Sequence, residues 1–133
     1  PEDKFLNHYC TEGAEPLNVY SGNVIMNSEG EAIVQLPDYF ESINSDYRYQ
    51  LTCIGSYAPV YIAEEIFNNS FRIAGGTEGM KVSWRVEALR KDPWVKSYGA
   101  PAETMKPEKY RGKYLHPELY GKPKSMGIHA DEL

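Results

Sequence analysis

The sequence predicts a mainly β fold: an antiparallel β-sandwich or curled sheet of about six strands, with one short helix and an extended C-terminal arm. Three observations carry this expectation. Apolar and polar side chains alternate with period two in segment after segment between Leu17 and Leu89. Glycine and asparagine punctuate those segments at short intervals. Residues 95–133 instead carry Pro101, Pro107, Pro117 and Pro123 with neither strand nor helix periodicity. The expected domains are therefore 1–94, an antiparallel β domain, and 95–133, a Pro/Tyr-rich arm.

Leu17 to Met26 reads as the first strand. Asn27-Ser28-Glu29-Gly30 follows as a tight turn in which Gly30 is free to take positive φ. Glu31 to Leu36 then returns with Ala32, Val34 and Leu36 on one face, which predicts a hairpin with the first strand. Pro37-Asp38 opens a helical turn or two, placing Tyr39, Phe40 and Ile43 on a shared face. Tyr47, Tyr49, Leu51 and Cys53 alternate with Arg48, Gln50 and Thr52, the pattern of a half-buried strand.

Val60 to Ile66 is the next strand, and Phe71 to Ala74 pairs back across Asn68-Asn69, since asparagine tolerates left-handed backbone. Gly75-Gly76-Thr77-Glu78-Gly79 has no lysine and no following helix, so it is a wide turn rather than a phosphate loop. Met80 to Leu89 closes the body, with Val82, Trp84 and Val86 facing in. In the arm, Tyr110, Tyr114, Leu115, Leu119 and Tyr120 are the expected interface anchors, laid over the domain or over a neighbouring subunit.

Composition narrows the function classes. A chain of 133 residues can bury a real core in one domain. Its net charge of −5 disfavours a nucleic-acid partner, and no apolar run reaches membrane-spanning length, so no membrane insertion is expected. Residues 1–90 hold six Lys/Arg against thirteen Asp/Glu, a balance of −7, whereas residues 91–133 stand at +2. Eleven tyrosines suit half-buried β surfaces and interfaces, each joining an apolar ring to a polar tip. The opening Pro1-Glu-Asp-Lys has neither an initiator methionine nor a signal-peptide pattern, which suggests a fragment or processed product.

The chemistry-bearing residues form no coherent set, so the expectation is no enzyme, no metal and no cofactor. His8, His116 and His129 sit in no ligand spacing, and His8 reads as packed in the edge-strand-like run Phe5 to Cys10. His116-Pro-Glu118 and His129-Ala-Asp131 each put a carboxylate two residues from an imidazole, in proline-broken backbone that fixes no proton-transfer geometry. Glu64 and Glu65 should point to opposite faces of a strand, with one answering Arg72 or Arg85 across the sheet. Cys10 and Cys53 permit one disulfide but suit packed free thiols. The closing Ala130 to Leu133 resembles an ER-retrieval signal, and without a signal-peptide pattern or a disulfide framework it reads as coincidence or a truncation point.

Several runs resemble one family. They are Asn18 to Val24, Asn27 to Ala32, Leu36-Pro-Asp-Tyr-Phe-Glu41, Tyr47 to Thr52, Tyr61 to Ile66, Phe71 to Gly76, Met80 to Val86 and Arg90-Lys-Asp-Pro93. Together they resemble a widespread, uncharacterised bacterial C-terminal β domain that closes phage-tail-fibre-like and surface-fibre-like proteins. Tyr114 to Tyr120 is similar to members with a tail. The resemblance brings no catalytic residues. It implies a structural domain that caps, oligomerises (as a trimer) or attaches a fibre, at a cell surface or on a virion-like particle. A carbohydrate-binding module, recognising a cell-surface glycan through Tyr57, Tyr61 or Trp94 as stacking platforms, is the alternative.

Overall fold

The computed structural model describes residues 12–130, so His8, Cys10 and Asp131 to Leu133, with the expectations placed on them, lie outside the described residues. The chain divides into two units, the first ending at Pro101 and the second starting at Ala102.

The first unit is built from six strands: β1 (Leu17–Ile25), β2 (Ala32–Gln35), β3 (Asn44–Ile54), β4 (Tyr61–Phe67), β5 (Ser70–Ala74) and β6 (Lys81–Arg90). They form two antiparallel three-stranded sheets, ordered β1-β6-β3 and β2-β5-β4. The two orders correspond strand for strand. β1 runs on into β2, β3 into β4 and β5 into β6, so each passage of chain leaves one sheet and enters the other. The unit is thus three long bent strands shared between two sheets, with β5–β6 in the middle and β1–β2 and β3–β4 on either side.

The fold line is where the glycines fall. Gly30, Gly55, Gly75 and Gly79 all take positive φ, at 71°, 88°, 85° and 75°, a region that side chains resist. Gly30 has a second constraint: a Cβ there would lie 2.1 Å from the carbonyl oxygen of Gly76. Gly76 N–H also donates to Gly30 O at 3.0 Å, so two of the corners are stitched back to back.

This geometry corrects the expected hairpin between Leu17–Met26 and Glu31–Leu36. The turn itself forms as read, since Asn27 Oδ1 accepts from the N–H groups of Glu29 and Glu31. Its strands nevertheless pair elsewhere, β1 with β6 and β2 with β5. Gly30, hydrogen-bonded to the neighbouring corner, turns the chain out of the first sheet. The Asn68-Asn69 hairpin does form, with both residues left-handed at φ 50° and 55°.

Packing joins the sheets. Phe71 of β5 sits edge-on to Tyr49 of β3 and Trp84 of β6, at ring separations of 5.5 and 5.7 Å. Ile73, Val82, Val86 and Ala88 are fully buried beside it. Gly22 in mid-β1 leaves the space that the Trp84 ring fills, 2.9 Å from where a Cβ would stand. Tyr49 Oη accepts from the Ile66 N–H at 2.9 Å, giving β4 a hydrogen bond from the opposite sheet.

One polar residue lies at the centre. Asn44 is completely buried, yet it donates to Phe40 O and Tyr20 Oη and accepts from Asn18 Nδ2. It therefore ties β1, β3 and the short helix α1 (Phe40–Ile43) together without an unmet bond. Only Phe40 of the expected Tyr39/Phe40/Ile43 face is deeply buried. Tyr39 precedes the first helical residue and stays exposed, because a single turn begun at Phe40 cannot carry it inward. The helix start is held from afar: Asn69 Oδ1 accepts from Glu41 N–H, and Glu41 Oε2 accepts from Asn69 N–H.

A second helix, α2 (Pro93–Tyr98), lies where no periodicity was read. Its punctuation is nonetheless in the sequence. Asp92 caps it by accepting from Val95 N–H, Pro93 occupies the first turn, and Gly99 ends it at φ 70°. The first unit accordingly reaches Pro101, beyond the expected boundary at residue 94.

The second unit is not an uninterrupted extended chain. It contains 3₁₀ turns at Glu108–Tyr110, Pro117–Tyr120 and Lys124–Met126, and a single parallel bridge between Tyr114 and Gly127. Tyr114 N–H donates to Met126 O, and Ile128 N–H to Tyr114 O. Pro117 and Gly127 are buried between these strands of loop.

Candidate interaction surface

The expected interface residues divide into two groups. Tyr110 and Tyr114 are half-buried within the second unit, where Tyr114 packs on Tyr120 at 5.2 Å and receives the Lys106 ammonium 5.4 Å from its ring centre. These rings shape the unit. Leu115, Leu119 and Tyr120 are 64, 76 and 67% exposed, and all stand on the stretch fixed by Tyr114 and the buried Pro117. Gly121, left-handed at φ 63°, ends that stretch. The result is three exposed apolar side chains on backbone of defined shape rather than on a chain trailing in solvent.

The expected stacking residues are not brought together. Tyr57 is almost wholly exposed on the β3–β4 connection, Tyr61 begins β4, and Trp94 lies on α2. Trp94 does have a partner that sequence reading missed. Tyr98, one helical turn on, lies 4.4 Å away with its ring tilted by 43°, and both rings are exposed. The i, i+4 spacing was the available signal, hidden because the segment was read as arm.

A shallow depression of 330 Å³ lies on the outer face of the β2-β5-β4 sheet, between exposed Ile33 and Phe67. Arg72 crosses it, bonded to Glu31 at 2.5 Å and Glu64 at 2.8 Å. The guanidinium holds the Glu64 carboxyl below its ordinary range through that hydrogen bond. Glu64 is thus the expected partner of Arg72. Glu64 and Glu65 are both exposed on β4, whose pairing with β5 shifts register after Ile62 and after Glu64.

A second depression, of 550 Å³, lies over the outer face of the β1-β6-β3 sheet, between Leu17, Val19, Arg85 and the Glu12–Glu15 segment. There Glu15 forms a two-pronged ion pair with Arg48 of β3, at 2.7 and 3.0 Å. That pairing lowers the Glu15 carboxyl's proton affinity.

His116 Nδ1 does meet Glu118 Oε1, at 3.3 Å, but both side chains are mostly exposed. Cys53 is a free thiol donating to Ala58 O. Among the described residues, no three His, Cys, Asp or Glu side chains are grouped to hold a metal ion, and no helix is long and apolar enough to cross a membrane. Set against known protein families, curated proteins and solved structures, the chain matches none.

Proposed function

We propose that this chain is a non-catalytic, self-associating β domain that caps, oligomerises or attaches a fibre-like protein of a cell surface or phage-tail-like particle. The observation that supports this most is the exposure of Leu115, Leu119 and Tyr120 on one short stretch of ordered backbone. Large side chains presented on shaped backbone suit a protein partner, because their ordering is already complete before contact. The acidic body and basic C-terminal segment favour contact between copies, more weakly at high salt.

Light scattering on the full chain, alone and with Leu115→Lys/Leu119→Lys, tests the proposal. The expected result is a multiple of the 15.1 kDa chain mass, reduced in the double variant with an unchanged far-UV spectrum. A monomer at every concentration would overturn it.

A second reading has its own support. The exposed Trp94–Tyr98 pair offers two rings to the apolar face of a sugar. A glycan array in which Trp94→Ala loses a signal seen with the parent chain would favour a carbohydrate-binding module. No signal from either would remove it.

A further inference from the structure

We infer that β1 is a homophilic edge, along which a second copy of the chain adds antiparallel and joins two β1-β6-β3 sheets into one. The inference deepens the self-association reading and rests on it. It names a different surface from the Leu115–Tyr120 stretch.

The four sheet edges of the described residues are protected unequally. Exposed strand edges invite pairing, and proteins blunt them with charge, bulges or shortness. β2 is only four residues long. β4 carries Glu64 and Glu65 and two register shifts. β3 carries Asp46 and Arg48 and is bulged between Ser45 and Arg48, with Asp46 left-handed at φ 52°. β1, Leu-Asn-Val-Tyr-Ser-Gly-Asn-Val-Ile, has no charge and no proline, and it pairs with β6 in unbroken register from Leu17↔Leu89 to Ile25↔Lys81. Among the described residues, no strand pairs with its other side.

The direction of its free groups follows from the ladder. Arg90 N–H donates to Pro16 O at one end, and Met26 N–H donates to Met80 O at the other. Even-numbered residues therefore bond to β6, and alternation turns the N–H and C=O of Leu17, Val19, Ser21, Asn23 and Ile25 outward. That set is self-complementary. A two-fold axis at Ser21 sets Leu17 against Ile25, Val19 against Asn23 and Ser21 against its own copy. Each pair can exchange both hydrogen bonds, and the exposed Ile25 gains an apolar neighbour. Among the described residues before β1, Glu15 reaches across the outer sheet face to Arg48 on β3 rather than along the β1 edge.

Two variants of the full chain test this. Ser21→Pro deletes an outward N–H while sparing the β6 ladder, a substitution that edge strands tolerate. Ser21→Cys brings two thiols to a hydrogen-bonded pair about 5.5 Å apart between Cα atoms, within disulfide range. The expected results are an even-numbered parent assembly, a halved mass for Ser21→Pro, and an oxidised cross-link that peptide mapping places between the two positions 21. A strict trimer, or an oligomer that Ser21→Pro leaves intact and Ser21→Cys fails to cross-link, would overturn the edge while leaving self-association standing. A monomeric parent that Ser21→Cys also fails to cross-link would overturn both.

Discussion

The two units of this chain keep their shape by different means, and the contrast explains where each can be broken. In the first, β1, β2, β3 and β6 pair only with residues distant in sequence, β4 and β5 close one local hairpin, and a core of buried side chains lies between the sheets. In the second, the described hydrogen bonds span a few residues, apart from the loops joined at Tyr114 and Gly127. Long-range pairing makes a body whose parts fail together. Local turns make a unit whose parts fail one at a time.

Matched glycines give the sharpest test of this contrast. Gly30 and Gly121 are both left-handed, but only Gly30 faces a backbone oxygen, whereas nothing lies within 4 Å of the place a Cβ would take on Gly121. Gly30→Ala should cost about 4 kcal/mol or more, because two corners must part. Gly121→Ala should cost about 1 kcal/mol, the strain of αL backbone alone. Chemical denaturation of both variants checks the difference, and equal losses would erase the distinction.

The polar centre comes next. Asn44→Ala should destabilise the first unit by about 3 kcal/mol, because Asn18, Tyr20 and the Phe40 carbonyl lose a buried partner at once. Tyr114→Ala, the corresponding change in the second unit, should appear instead as faster amide exchange between Tyr114 and Ile128, measured by mass spectrometry.

Tyr49→Phe isolates a single bond between the sheets. It keeps the ring contact with Phe71 and leaves the Ile66 N–H without its acceptor, at a cost of about 1 kcal/mol by thermal melting.

The smallest effect concerns pH. The hydrogen bond from Arg90 holds Asp92 below the ordinary aspartate value of 3.8. A carboxyl with a lowered folded pKa contributes stability that is present above its unfolded pKa and lost as pH falls through the folded one. The α2 cap should therefore persist at neutral pH and loosen only in acid below 3.8, seen as a shift of the Val95 amide resonance. In Asp92→Ala that acid transition should vanish.

Much of the first unit was legible because its signals are local. The alternation from Tyr47 to Cys53, the Asn68-Asn69 turn and the inward face of Val82, Trp84 and Val86 each depend on neighbours along the chain. The candidate surface was half legible. Tyr114 and Tyr120 were recognisable as large side chains in a proline-rich stretch, but their packing on each other needed the 3₁₀ turn between them. The Trp94–Tyr98 pair escaped because a helix of six residues shows less than two turns of periodicity.

The sequence by itself determined where the strands lie, which way their side chains face and where the chain must turn, since φ preference and period-two alternation act within a few residues. Only the tertiary structure decided which strands pair. Asn27–Gly30 makes the same turn whether it closes a hairpin or a corner between sheets. The bond from Gly76 to Gly30, made across more than forty residues, selects the corner. That choice leaves β1 at an edge of its sheet among the described residues.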